Sequence, residues 1–239
     1  MPEPFLSIVV PAYNEARRLR DTLERLCQFK ELRPYSIELM VVDDGSTDQT
    51  VAIISQFQGI RLVRNDRNHG KGFTVRHGVL EARGEFVLFT DADLSTPIEE
   101  VDKLLSALQS SGADAAVGSR ALKRELIGIH QPLFRDMAGR FFNLLVRAFT
   151  GLRLHDTQCG FKLFKRRSTR RAFERMRVEG FGFDPELLFL IERGGGRVVE
   201  VPVRWNDNPA TKVRFLRDST RMFLDLIAIH WRSLMGKYQ

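Results

Sequence analysis

Three clusters of acidic and amide side chains follow apolar runs in the first half of the chain. They occur in PAYNE (11–15), VDDGSTD (42–48) and FTDAD (89–93). Asp91 and Asp93 stand directly behind the run FVLFT, where two like charges repel each other unless a positive group lies between them. Carboxylate oxygens suit hard cations such as Mg²⁺ and Mn²⁺. The pattern therefore indicates a divalent cation near these strand ends.

Other phosphate and metal motifs fit this sequence less well. A lone DxD pair is more often a turn or a helix cap, so the argument depends on the three clusters together. DADLSTPIEEVD (91–102) has Thr96 at the sixth position and Asp102 at the twelfth, where an EF-hand needs Gly and Glu. NHGKG (68–72) places Lys71 before a helix and could help to hold a phosphate, but the complete P-loop and GxGxxG patterns are missing. A cation bound to a diphosphate fits better, because Mg²⁺ usually takes one or two carboxylates plus substrate phosphates.

The elements that must position these clusters alternate between strand and helix. Apolar runs predict strands at 6–10, 36–42, 60–64, 85–90 and 113–119, and helical patterns cover 15–29, 72–82 and 97–111. Such alternation predicts an α/β fold with a mostly parallel sheet and helices on both faces, whose ligands bind at the carboxyl ends of the strands. No linker or repeat divides the 239 residues, so a single domain is expected over 1–239.

Charge divides the chain into two halves. The net charge of +7 results from −5 over residues 1–119 and +12 over residues 120–239. The acidic half is expected to hold metal and nucleotide, and the basic half needs an acidic partner, such as nucleic acid, anionic lipid or a phosphorylated substrate. Nucleic acid is disfavoured, because the basic half has no binding motif and no interleaved aromatic residues. Two distant cysteines and no signal peptide favour the cytoplasm.

Two amphipathic helices are predicted in the basic half, at 132–150 and 215–235. No run of about 18 apolar residues occurs, so no transmembrane helix is expected. These helices either pack on the core or lie on a membrane surface, where each basic residue contributes about 1 kcal/mol. The second helix is surrounded by Arg214, Arg217, Arg221, Arg232 and Lys237. They could hold the protein peripherally at the inner face of a membrane.

Several stretches resemble glycosyltransferase family 2, whose members have the GT-A fold. They are SIVVPAYNE, VVDDGSTDQT, NHGKG, FTDADLSTP and GSR. DTQCGFKLF (156–164), GFGFDPELL (180–188) and VPVRWNDNPATKV (201–213) are similar to the dolichyl-phosphate glucosyltransferase branch. That branch often carries an N-terminal membrane anchor, and some bacterial relatives carry C-terminal membrane helices; the sequence departs from both patterns.

The resemblance implies inverting transfer of a hexose, expected to be glucose from UDP-glucose, to a polyprenyl phosphate, with Mg²⁺ or Mn²⁺. GDP-mannose as donor, or a hydroxyl acceptor, remains the alternative. The resemblance implies that the nucleotide pocket is lined by Pro11, Tyr13, Glu15 and Ala92. It also implies that Asp43 meets the base and that Asp44 lies near the ribose. Asp91 is expected to contact the ribose and the metal, and Asp93 is expected to bind the metal. Three further binding residues are expected. Lys71 would hold a phosphate, and Asp184 would contact sugar hydroxyls or cap a helix. Lys212 would close over the donor.

A phosphate acceptor changes what the site requires. A hydroxyl acceptor needs a general base to remove its proton, whereas a phosphate monoester is already an anion near neutral pH. Cations that position two phosphate-bearing substrates are needed instead. The candidates for this positioning role are Arg120 in GSR and, on the first amphipathic helix, Arg135 and Arg140. Arginine suits the role because it binds phosphate through two parallel hydrogen bonds.

Overall fold

The computed structural model describes residues 3–129, 133–207 and 215–238. In chain order the elements of the first half are β1 (Leu6–Ala12), α1 (Leu19–Glu31), β2 (Ile37–Asp43), α2 (Thr50–Ile54), β3 (Ile60–Arg64), α3 (Lys71–Glu81), β4 (Phe86–Thr90), a 3-10 turn (Ile98–Glu100), α4 (Val101–Ser111) and β5 (Ala115–Ser119). Those of the second half are a 3-10 turn (Arg124–Leu126), β6 (Ile127–Ile129), α5 (Leu133–Thr150), β7 (Phe161–Lys165), α6 (Arg166–Arg175), α7 (Phe183–Arg193), β8 (Val198–Pro202), β9 (Trp205–Asn206) and α8 (Phe215–Leu234).

Seven strands form the central sheet, in the order β3-β2-β1-β4-β7-β5-β8. β1 pairs in parallel with β2 on one side and with β4 on the other, so that Leu6 lies between Ile37 and Phe86. β7 runs antiparallel to both β4 and β5. The predicted mostly parallel sheet is therefore confirmed. The strand order reverses between β1 and β4, and open α/β sheets bind ligands in the crevice at such a point.

The strands β1, β2 and β4 are mostly apolar because both faces of the sheet are covered. Ile8 and Leu88 lie in a core cluster with residues of α1 and α4, while Val9 and Phe89 lie in a second cluster with residues of α3, α6 and α7. Successive side chains of a strand point to opposite faces, so an unbroken apolar run is what a sheet buried on both sides requires. This core holds the carboxyl ends of β1 and β4 rigidly side by side.

The first helix begins later than its periodicity predicts. The pattern predicts a helix over 15–29, but α1 begins at Leu19, because residues 13–18 form a turn. Asn14 has a φ of 53°, and the Glu15 carbonyl accepts hydrogen bonds from the backbone N–H groups of Arg18 and Leu19. The turn keeps the Tyr13–Arg18 stretch at the edge of the sheet.

Both amphipathic helices form, and α5 packs against α7 and α8. Val146 of α5 and Leu226 of α8 are buried in a third apolar cluster with Leu188 of α7. On α5, other large apolar side chains stay exposed, namely Leu133, Phe134, Met137, Phe141 and Leu144. Among the described residues, no helix combines the length and the apolar character that crossing a membrane requires.

Candidate active site

A cleft of about 650 Å³ opens at the carboxyl edge of the sheet, where the strand order reverses. Its lining comes from the ends of β1 and β4, the start of α3 and the first half of α8. The residues are Pro11, Ala12, Tyr13, Asn14, Glu15, Arg18, Asp44, Asn68, Gly70, Lys71, Thr74, Asp91, Ala92, Asp93, Phe181, Arg217, Asp218 and Arg221. The three acidic clusters of the sequence are thus represented at one edge of the sheet.

The acidic pair after β4 is held by its own backbone. The Asp91 N–H donates to the Gly160 carbonyl at 3.1 Å, and the Ala92 carbonyl accepts from the Thr22 hydroxyl at 2.7 Å. One Asp93 oxygen accepts the Ser95 N–H at 3.0 Å. Both carboxylates remain partly exposed to the cleft.

Each carboxylate of this pair contacts a cation of the chain. Lys71 Nζ lies 2.7 Å from Asp91 Oδ1, and an Arg18 guanidinium nitrogen lies 3.2 Å from Asp93 Oδ2. Burial lowers the pKa of Lys71, but the charges of Asp91 and Asp184 outweigh burial and raise it above its ordinary value. Lys71 is therefore a full positive charge at neutral pH.

Arg18 also grips Glu15, with Nε and a terminal nitrogen at 2.5 and 2.9 Å from the two carboxylate oxygens. Sequence reasoning missed Arg18. The spacing of Glu15 and Arg18, three residues apart, was the available signal, because side chains so spaced can meet in one turn. The contact with Asp93 had no local signal, since the two residues are 75 positions apart.

The two aspartates at the end of β2, Asp43 and Asp44, have different positions. Asp44 borders the cleft and accepts hydrogen bonds from the backbone N–H groups of His69 and Gly70 at 3.0 and 2.9 Å. It thereby holds the NHGKG loop beside the cleft. Asp43 is fully buried behind the lining, where its carboxylate faces the Ser46 N–H and lies 3.5 Å from Arg64 Nε. The expected contact of Asp43 with a base stays a prediction.

Gly72 explains how Lys71 is aimed. A Cβ at Gly72 would lie 2.5 Å from the Val178 carbonyl oxygen, so only glycine lets α3 approach the 177–181 segment this closely. At Gly70 the backbone has a φ of 110°, a conformation that side-chain-bearing residues rarely adopt. These two glycines fix the first turn of α3 and point its first residue, Lys71, at Asp91.

Asp184 lies in the first turn of α7 and outside the lining of the cleft. Its carboxylate is 2.5 Å from Nζ of Lys162, a fully buried lysine that also donates to the Cys159 carbonyl at 2.5 Å. Burial raises the pKa of Asp184, and the charges of Lys162 and Lys71 offset this only in part. The N-cap position of α7 is Gly182, so Asp184 does not occupy the capping position that the sequence analysis offered as one of its two roles. Lys162, within DTQCGFKLF, was not foreseen as a partner of Asp184.

A second cavity, of about 180 Å³, lies between α5 and the segment after β5. Its cationic lining comprises Arg120, Arg124 and Arg140. Asp156 holds Arg120 by two contacts, of 2.6 Å to Nε and 2.9 Å to a terminal nitrogen. Burial lowers the pKa of Arg120, but Asp156 outweighs burial and raises it.

One residue of this lining carries a buried hydrogen-bond donor that no described residue satisfies. Gln158 lines the cavity, and its Nε2 has no hydrogen-bond partner among the described residues. Sequence reasoning did not single out Gln158, although it lies in DTQCGFKLF. Arg135 is on α5 outside the cavity lining, 6.0 Å from the ring centre of Phe134. Lys212 lies outside the described residues.

The acidic pair, Asp91 and Asp93, offers only part of the ligand shell of a divalent cation. Within the described ranges, no group of three or more His, Cys, Asp or Glu residues is arranged to enclose a metal ion. Asp91 and Asp93 nevertheless supply carboxylate oxygens at an open cleft, which suits a cation that completes its shell with substrate phosphates. The residues present therefore fit Mg²⁺ or Mn²⁺ that arrives with a diphosphate.

Comparisons with known proteins agree with this fold and show the family to which the chain belongs. The model of the family "Glycosyl transferase family 2" matches residues 7–173, more than half of the chain. The chain belongs to this family, and the GT-A fold expected from the sequence is confirmed.

Within this family, the chain is similar to individual proteins of one kind. The chain is 34% identical to the dolichyl-phosphate β-glucosyltransferase of Saccharomyces cerevisiae, over 99% of this chain and 77% of that protein. It is 36% identical to the Drosophila melanogaster protein of the same name, over 100% of this chain and 78% of the relative. The human protein of this name is 34% identical, with the same two coverages.

Solved structures support the fold alone, because their identity is low. Glucosyl-3-phosphoglycerate synthase from Mycobacterium tuberculosis, in complex with UDP, superposes with a TM-score of 0.69 at 20% identity, covering 95% of this chain and 80% of that one. The same enzyme in complex with Mn²⁺, UDP-glucose and phosphoglyceric acid gives a TM-score of 0.70 at 19% identity, with the same coverages.

Proposed function

We propose that this chain is an inverting glycosyltransferase that moves glucose from UDP-glucose to a polyprenyl phosphate. The observation that carries the proposal is the cleft at the reversal of strand order, with Asp91 and Asp93 in its lining. The similarity to dolichyl-phosphate β-glucosyltransferases over nearly the whole chain supports the choice of donor and acceptor.

The cleft of about 650 Å³ is the proposed nucleotide-sugar site. In this proposal, Pro11, Tyr13 and Glu15 line it on the β1 side, and Asp44 reaches the ribose. Lys71 binds the diphosphate, and Ala92 lines the floor between the two aspartates. Phe181 is a further apolar wall that the sequence analysis did not include. Asp184 acts from outside the lining, by fixing Lys162, and Lys212 is proposed to close over the donor.

Asp91 and Asp93 are the proposed ligands of a divalent cation. Such an ion, when bound, neutralises negative charge that develops on the departing nucleotide. The residues of the chain do the remaining work. The two carboxylates would hold the ion, and the backbone contacts of Asp91 and Ala92 prevent this pair from shifting.

The cavity lined by arginines is the proposed acceptor-phosphate site. Arg120, Arg124 and Arg140 supply positive charge, and the unsatisfied Gln158 amide is a donor for a phosphate oxygen. Arg135 is proposed to meet the lipid phosphate from the neighbouring part of α5. A phosphate monoester attacks as an anion, so the site needs no general base. The arginines orient the nucleophile, since their high pKa prevents them from protonating it.

The exposed apolar face of α5 is proposed to lie on an anionic membrane surface, at its cytoplasmic side. It projects Leu133, Met137 and Leu144 beside the arginine-lined cavity, so a lipid phosphate would reach the cavity without leaving the membrane. Leu144→Glu is expected to reduce co-sedimentation with vesicles of anionic phospholipid. Leu32→Glu is the matched control, because Leu32 is also exposed (83%, against 60% for Leu144) but lies after α1. Equal binding by both variants would contradict this orientation.

The function is tested by nucleotide release in a panel of sugar donors and acceptors, with and without EDTA. UDP-glucose with a polyprenyl phosphate and Mg²⁺ or Mn²⁺ is expected to release UDP, and EDTA is expected to abolish the release. Preference for GDP-mannose, or activity only with hydroxyl acceptors, would overturn the assignment of the substrates.

The metal assignment has its own matched pair of variants. Asp93→Asn is expected to lower the turnover number by about 100-fold, as loss of an electrostatic group at developing charge typically does. Asp102→Asn removes a carboxylate that also pairs with an arginine, Arg33, but on the surface outside the cleft, and is expected to leave turnover unchanged. Unchanged turnover in Asp93→Asn would refute the role of Asp93.

A further inference from the structure

The two carboxylates proposed to bind a metal already have positive partners within the protein. Lys71 contacts Asp91 at 2.7 Å, and Arg18 contacts Asp93 at 3.2 Å while also gripping Glu15. Lys71 and Arg18 already occupy Asp91 Oδ1 and Asp93 Oδ2, and a divalent cation bound by either oxygen would have to share it. The ion and the side chains therefore compete for the same oxygens.

The competition is strong because the ion pairs are partly removed from water. The Lys71 side chain is 23% exposed and Asp91 is 32% exposed, so bulk water screens their attraction incompletely. Lys71 is also fixed at its base, since Gly70 and Gly72 hold the first turn of α3 against the 177–181 segment. Asp184 does not offer Lys71 a free carboxylate in place of Asp91, because Lys162 lies 2.5 Å from the Asp184 carboxylate.

We propose that Lys71 and Arg18 are internal counter-cations that pair with Asp91 and Asp93 and suppress metal binding until a nucleotide diphosphate arrives. This inference rests on the proposed function. The diphosphate gives Lys71 a new anionic partner, which frees Asp91 for the metal. Metal and nucleotide then strengthen each other's binding by the same factor, because coupling between two ligands is reciprocal.

The proposal predicts an effect that a merely structural lysine would not produce. Lys71→Met removes a positive charge next to the metal site, so the affinity for Mn²⁺ alone is expected to rise about tenfold, which corresponds to about 1.4 kcal/mol. The same variant loses a contact with the diphosphate, so UDP alone is expected to bind more weakly. The factor by which UDP tightens Mn²⁺ binding is expected to fall.

The experiment is a Mn²⁺ titration of the whole protein, in which electron paramagnetic resonance measures the free ion, with and without UDP. Lys71→Gln serves as a second neutral variant, and thermal unfolding followed by circular dichroism shows that each protein is folded. Lys71→Arg keeps the charge and is expected to bind Mn²⁺ as the unsubstituted protein does. Lys103→Met is the matched control, because Lys103 is also ion-paired, to Glu100 at 2.6 Å, but does not line the cleft.

The outcomes separate this inference from the proposed function. Tighter Mn²⁺ binding in the neutral Lys71 variants, with no change in Lys71→Arg and Lys103→Met, supports the counter-cation role. Unchanged or weaker Mn²⁺ binding in the folded neutral variants, while UDP still promotes Mn²⁺ binding, overturns the counter-cation role alone. If the unsubstituted protein binds no Mn²⁺ even with UDP, the metal assignment of the proposed function falls as well.

Discussion

The buried contact between Arg120 and Asp156 gives a prediction that can be worked from distances. We consider Asp156→Asn, which removes the negative charge but keeps the size of the side chain. One Asp156 oxygen accepts from the backbone N–H and the Nε of Arg120, at 3.1 and 2.6 Å. The other accepts from a terminal Arg120 nitrogen at 2.9 Å and from the Gln158 N–H at 3.0 Å. An asparagine offers one acceptor oxygen, so two of these four bonds must be lost.

The expected loss in the free energy of unfolding is about 3 kcal/mol. Removing one partner of a buried ion pair typically costs about 3–5 kcal/mol, because the remaining charge is left without compensation. The lower end applies here, since the Arg120 side chain is 25% exposed and water can solvate part of the orphaned guanidinium. The asparagine oxygen also keeps two of the hydrogen bonds.

Urea unfolding followed by tryptophan fluorescence measures this loss. Trp205 is a local reporter, because its ring centre lies 5.3 Å from the Arg120 guanidinium carbon. The matched control is Glu174→Gln, which breaks an exposed pair with Arg170 in α6 and is expected to change stability by less than about 1 kcal/mol. A loss below 1 kcal/mol in Asp156→Asn would refute the conclusion that this pair holds the arginine in place.

The difference in the free energy of unfolding between Asp156→Asn and the unsubstituted protein is also expected to depend on pH. Burial raises the pKa of Asp156, but Arg120 and the hydrogen bonds outweigh burial and lower it below its ordinary value. A carboxyl group whose pKa is lowered by folding stabilises the folded state. This contribution is complete when the pH is above the pKa of the group in the unfolded chain, about 3.9, and it is lost as the pH falls toward the lower pKa of the folded state. Asp156→Asn should therefore differ most from the unsubstituted protein at neutral pH. A difference that grew on acidification below pH 4 would contradict this sign.

Three further outcomes follow from burial and backbone geometry. At pH 8, iodoacetamide is expected to modify partly exposed Cys27 before Cys159, because burial and the charge of Asp156 raise the pKa of the Cys159 thiol to about 11; mass spectrometry before and after unfolding measures this order. Gly72→Ala is expected to lower the free energy of unfolding by about 1–3 kcal/mol, since its Cβ would overlap the 178 carbonyl. Gly139→Ala, in α5, meets no atom within 4 Å and is expected to raise it by about 0.5–1 kcal/mol, with urea unfolding as the assay for both.

Much of the fold could be predicted because its signals are local. Apolar runs predicted β1 to β5, and the periods of α5 and α8 marked two amphipathic helices. The elements between residues 160 and 206 were not predicted individually. β7 gives an example, since FKLFK mixes lysines with apolar residues although it lies at the centre of the sheet. Lys162 is tolerated there only because the Asp184 carboxylate and the Cys159 carbonyl neutralise and solvate its ammonium group.

The sequence by itself determined the family, the acidic clusters and the edge of the sheet at which they meet. Parallel strands bring their carboxyl ends together whatever the loops do, so strand order along the chain was sufficient for that conclusion. Only the tertiary structure decided which acids face the cleft and which cations hold them. Asp44 borders the cleft while neighbouring Asp43 lies outside its lining, and Asp93 pairs with Arg18 across 75 positions of sequence. The partner of a charged side chain depends on distances in space, which periodicity and spacing along the chain do not encode.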